Sequence, residues 1–104
     1  MLFRSACSLP SAGFTKVTSP STNKSPVTVT VTDTSSSGSG CAITQWTWNW
    51  GDGTPATYGK VQNPHVYYNQ TGATGNTKTF SLTLVVTNSA GSATSGAATI
   101  TVIK

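Results

Sequence analysis

The stretch Ile43-Thr-Gln-Trp-Thr-Trp-Asn-Trp-Gly-Asp-Gly53 decides the fold. Large apolar residues recur at every second position, which puts Trp46, Trp48 and Trp50 on one face and Gln45, Thr47 and Asn49 on the other. That period belongs to a half-buried strand and not to a helix. Gly51-Asp52-Gly53 then breaks the strand, and Asp-Gly is a strong hairpin-turn signal. Each indole buries on the order of 200 Å², so a face carrying three of them is a core face. A platform of rings stacked on sugars would need exposure that this face denies to all but Trp50, which has room to be partly exposed at the strand end.

Working outward, the same period recurs. Val27–Asp33 (VTVTVTD) alternates with Val27, Val29 and Val31 on one face. Thr79–Asn88 is expected to be the longest strand, with Phe80, Leu82, Leu84 and Val86 inward. A last strand ending at Ile103 places Ala98, Ile100 and Val102 inward. Shorter strands are expected over Ala12–Val17, with Ala12 and Phe14 on one face, near Ala56–Tyr58, and over His65–Tyr67, with His65 and Tyr67 on one face. Ser-, Gly-, Pro- and Asn-rich stretches at 18–26, 34–40 and 69–77 connect them. About seven short strands with regular turn signals predict an all-β, two-sheet antiparallel β-sandwich over residues 12–104. Residues 1–11 remain as an extended N-terminal arm.

Composition agrees and excludes much. The chain has 104 residues, room for one domain. Only 8% are charged, while Ser and Thr number 14 and 20. There is no Glu, which disfavours a long exposed helix. The net charge of +4 is dispersed over Arg4, Lys16, Lys24, Lys60, Lys78 and Lys104. Nucleic-acid binders concentrate such residues into a stripe, so no nucleic-acid partner is expected. No stretch approaches the ~20 apolar residues of a membrane span, and no membrane insertion is expected. Arg4 stands where a signal peptide would carry its apolar run, so no signal peptide is recognisable. Read as a complete gene product, the chain is not exported by the usual route; read as an excised piece, it says nothing on export.

From Ala12 onwards the chain resembles the PKD domain, an immunoglobulin-like sandwich. The resemblance rests on five segments in order: Ala12-Gly-Phe14, Val27–Ser35, the tryptophan strand with Gly51-Asp52-Gly53, Asn63-Pro-His-Val-Tyr67, and Phe80–Asn88. It covers about nine-tenths of the chain. Three features depart from the family pattern. Asn49 replaces the usual Asp beside the turn, the Asn69–Lys78 loop is long, and residues 1–11 have no counterpart. The resemblance implies a non-catalytic module for protein or carbohydrate contact.

The residues themselves offer little chemistry. His65, Asp33 and Asp52 are the only side chains able to serve as base or orienting acid, so no catalytic residue is expected. Calcium wants six to eight oxygens, commonly from several carboxylates, and Asn49 with Asp52 falls short, so neither a metal nor a cofactor is expected. An Asx turn, its carboxylate accepting local backbone N–H bonds, is the expected role of Asp52. The expected core is Phe14, Val29, Val31, Trp46, Trp48, Trp50, Tyr67, Phe80, Leu82, Leu84, Val86, Ile100 and Val102.

Cys7 and Cys41 are the only thiols. In an antiparallel pair, the start of the first strand and the end of the second share one end of the domain, which brings both cysteines there. A disulfide and two free thiols in a reducing cytosol are both open.

Two functions follow. The first is a structural protein bound through its arm, loops and edge strands to a protein scaffold or to copies of itself. The resemblance points here to a virion surface part, such as a capsid decoration protein. The second is a protein- or carbohydrate-binding accessory module of a secreted enzyme or adhesin, with an extracellular location.

Overall fold

In the computed structural model, residues 8–37, 40–70 and 72–104 are described. They form eight strands: β1 (Phe14–Ser19), β2 (Val27–Asp33), β3 (Gln45–Asn49), β4 (Thr57–Tyr58), β5 (His65–Tyr67), β6 (Thr77–Asn88), β7 (Gly91–Thr94) and β8 (Ala98–Ile103). There is no helix among the described residues, and hence none long and apolar enough to cross a membrane. All strand pairs are antiparallel, in one sheet of order β1-β2-β5 and a second of five strands, β4-β3-β6-β7 with β8 also on β6. The two sheets enclose one core, as a β-sandwich does.

Eight strands replace the seven expected, because the last edge is split. Along β6, Val85 pairs Thr94 while Leu82 pairs Ala98. The register slips by one residue between these pairs, which marks a bulge over residues 95–97. Ser95 bridges it: its N–H donates to the Leu84 carbonyl, and its Oγ accepts the Leu84 N–H at 2.9 Å. Inward positions therefore change phase, from Ala93 in β7 to Ala98, Ile100 and Val102 in β8.

Strand ends shift for local reasons. β1 begins at Phe14 and not Ala12, because the Gly13 N–H is diverted to the Ser35 hydroxyl, while the Gly13 carbonyl accepts both that hydroxyl and the Thr34 backbone N–H. It runs on to Ser19, opposite Thr28. β3 spans only Gln45–Asn49, and β6 starts at Thr77, two residues before the expected Thr79.

The core comprises Val27, Val29, Val31, Trp48, Trp50, Tyr67, Leu82, Leu84, Val86, Ile100 and Val102. Phe14, Trp46 and Phe80 are only partly buried and pack against it. The exposure expected at Trp50 falls instead on Trp46: Trp50 is 1% exposed. The Gly51 turn folds the chain back over Trp50, whereas Trp46 lies at the opposite end of β3. Its Nε1 is buried without a hydrogen-bond partner.

Two buried asparagines close the sandwich at the two ends of β6. Asn88 donates through Nδ2 to the carbonyls of Ser8 (2.8 Å) and Ser37 (3.0 Å), while its Oδ1 accepts the Ala90 N–H. Asn69 donates through Nδ2 to the carbonyls of Asn76 (2.8 Å) and Val102 (3.0 Å). Its backbone N–H donates to Ser25 Oγ. Of the segment read as an arm, residues 8–11 lie against the domain: Pro10 is buried, and Ser11 pairs with Ser36. Cys41 is disulfide-bonded; Cys7, its expected partner, lies outside the described residues with the rest of 1–7.

Candidate functional site

The polar chemistry collects where β3 runs into the Gly51–Thr54 turn and faces β5. Gly51 makes the turn possible. Its φ is +79°, and a Cβ there would collide with the Ser81 backbone on β6. Gly53, at φ +86°, has open space around it and answers only the backbone requirement. Between them Asp52 is held by both carboxylate oxygens. Oδ1 accepts the Thr54 N–H at 3.1 Å and the Thr54 hydroxyl, which is the expected Asx turn. Oδ2 lies 2.8 Å from His65 Nε2. An ionised carboxylate only accepts, so His65 Nε2 carries the proton between them.

Burial pushes the Asp52 carboxyl up, but the bonds from Thr54 and His65 outweigh it and hold the group below its ordinary 3.8. Burial, with the Asp52 charge adding to it, pushes the Tyr67 phenol well above its ordinary value. Tyr67 therefore stays neutral and donates to the Trp50 carbonyl at 2.7 Å.

His65 is also fixed by its faces. Its ring stacks on Trp50, centroids 4.3 Å apart and planes 10° apart, and meets Tyr67 edge-on at 4.9 Å. These contacts belong to a continuous aromatic row, Phe14–Trp48–Trp50–His65–Tyr67–Phe80, ending with Lys78 Nζ 6.0 Å above Phe80. The indole N–H groups are satisfied along it: Trp48 Nε1 donates to the Gly59 carbonyl and Trp50 Nε1 to Thr57 Oγ1. Such an arrangement orders a turn and an imidazole. The Thr54 hydroxyl donates to Asp52 and not to the ring.

Two surface cavities adjoin these elements. One, of about 250 Å³, is lined by Asp52, Thr54, Val66, Tyr68, Lys78 and Phe80. The other, of about 200 Å³, lies between Val31–Asp33 and Lys60-Val61. Beside the second, the Tyr58–Gln62 loop is stiffened by Gln62 Nε2, which donates to the carbonyls of Tyr58 and Gly59. Val61 stands 87% exposed on that loop.

The structure thus brings Trp50, Asp52, His65 and Tyr67 together, with Gly51 and Gly53 as their frame. Trp46, Leu84, Val86 and Cys41 stay away from this cluster, toward the Asn88 end. Sequence reasoning missed Tyr68, Thr54 and Lys78. The one signal for Tyr68 was its position immediately after an inward-facing Tyr67. Among the described residues no group of three or more His, Cys, Asp and Glu is placed to hold a metal ion. Compared with family models, curated proteins and solved structures, the chain matches none of them.

Proposed function

We propose that this chain is a non-catalytic, immunoglobulin-like module of the PKD type that attaches to a larger protein assembly, namely the surface of a virion. Exposure of large apolar side chains at the sheet edges carries the reading. Val17 on edge strand β1 and Tyr58 on edge strand β4 are 69% and 65% exposed, and Val61 follows on the stiff loop. Such side chains on edges and preorganised loops suit protein contact. The acids point the same way. Asp33 Oδ1 accepts the Ser35 N–H and Asp52 is held by Thr54 and His65, so both side-chain carboxylates of the chain serve turns.

The strand pairing, β1-β2-β5 against β4-β3-β6 with β7 and β8 along the far edge, supports the immunoglobulin-like comparison. The choice of a virion rests on the resemblance alone. Native particles from the source should carry the protein through sedimentation and show it on their surface by labelled imaging. The Val17→Lys/Val61→Lys double variant, which changes two exposed positions, should fold normally and lose particle association. Protein that stays in the supernatant, or a variant that still co-sediments fully, would overturn the attachment reading.

A further inference from the structure

We propose that the cleft bounded by Asp52, Thr54, Val66, Tyr68, Lys78 and Phe80 is a subsite for one pyranose ring of a neutral saccharide. Its volume, about 250 Å³, lies below the ~300–1,000 Å³ of ordinary small-molecule sites, which suits a single ring and not a long oligosaccharide. The Tyr68 side chain is 56% exposed, leaving an aromatic wall open to the C–H face of a sugar. Phe80, half-buried, supplies the floor.

The hydrogen-bonding capacity selects the ligand class. An ionised carboxylate offers about four lone-pair sites. On Asp52, the Thr54 N–H and hydroxyl take two at Oδ1 and His65 takes one at Oδ2, leaving one acceptor. The Thr54 hydroxyl is spent as a donor but can still accept. The Lys78 ammonium, a donor only, lines the same cleft. The cleft therefore offers both acceptors and a donor. Sugar hydroxyls do both. An anion would meet the Asp52 charge and a cation the Lys78 charge.

The aromatic wall is also preorganised. Tyr68 sits between Tyr67, fully buried with its hydroxyl on Trp50, and Asn69, 1% exposed with its amide on two carbonyls. Its backbone is fixed from both sides, so little order has to be gained on binding.

The test is a titration of the ¹⁵N-labelled full chain with methyl glycosides of glucose, galactose and mannose and with N-acetylglucosamine. Dissociation constants in the millimolar range are expected for so few ligand atoms, with shifts confined to the amides of Thr54, Val66, Tyr68, Lys78 and Phe80. Tyr68→Ala should weaken binding about tenfold, the size of one aromatic contact, and Lys78→Ala should weaken it less. Tyr58→Ala removes a comparably exposed ring outside the cleft and should leave the sugar titration unchanged. No shifts with any of the four probes, shifts mapping elsewhere, or undiminished binding by Tyr68→Ala and Lys78→Ala would overturn the proposal. Binding of glucuronate or glucosamine in preference to the neutral probes would do so too. Sugar binding and particle association are read separately, so either proposal can fail alone.

Discussion

The two ends of β6, about 35 Å apart for a twelve-residue strand, are closed by the same residue type and fastened by different chemistry. At the Asn88 end, a neutral amide gathers the carbonyls of Ser8 and Ser37 beside the disulfide-bonded Cys41. At the Asn69 end, a second amide gathers Asn76 and Val102, and the neighbouring fasteners are a carboxylate, an imidazole and a phenol. One end should therefore answer to reductant and the other to pH. A small domain, with eleven core side chains among its described residues, thus has two different closures around one interior.

Reduction should have the largest effect. Opening the bond at Cys41, which with the expected partner Cys7 closes a loop of about 35 residues, should remove roughly 3–4 kcal/mol on the chain-entropy model. Amide exchange should then rise at residues 36–41 and 88–91 and stay slow at 65–67. Equal acceleration at both ends would show that they open as one unit and would break the comparison.

Next come the two glycines of the Asp52 turn. Gly51→Ala forces a Cβ into the Ser81 backbone as well as a strained φ, and should cost about 3 kcal/mol. Gly53→Ala meets only the strain and should cost about 1 kcal/mol. Urea denaturation of both variants checks this, and equal losses would remove the close approach to β6 from the account.

The smallest expected effect separates the ends by pH. Asp52 is held below 3.8 when folded, so the unfolded chain takes up the proton first as pH falls. Stability contributed above about pH 4 is therefore lost on acidification through the lowered value. Asp52→Asn should flatten that part of the stability profile in denaturation series between pH 5 and pH 2 (a range set by ordinary carboxylates, roughly pH 4). An unchanged acid limb would remove Asp52 as the pH-sensitive fastener. The same variant should leave the response to reductant untouched.

Much of this was legible in the sequence where alternation was unbroken. Val27–Asp33 and the inward set of β6 stand where their period places them. The Asx turn at Asp52 was legible because it is local, two residues long. β7 was not: its small residues, Gly91-Ser-Ala-Thr94, show no contrast, and the bulge shifts their phase against β8. The asparagine closures were illegible for another reason. The side-chain amides of Asn88 and Asn69 bond to residues as far as 80 and 33 positions away in the chain, and locally they read as ordinary strand-end or loop residues. The cleft at Tyr68 depends on which of two adjoining tyrosines the sheet turns outward and on what β6 sets beside it.

The slip at Ser95 bears on how many such molecules can be crowded together. A flat free edge is a template on which further chains can polymerise. Here the outer edge of the larger sheet is cut into a four-residue piece and a six-residue piece, one residue out of step. An incoming strand that matches the first mismatches the second, and its side chains would exchange faces at the break. High local copy number, as on a densely covered particle, is thereby compatible with a chain so rich in β-forming residues.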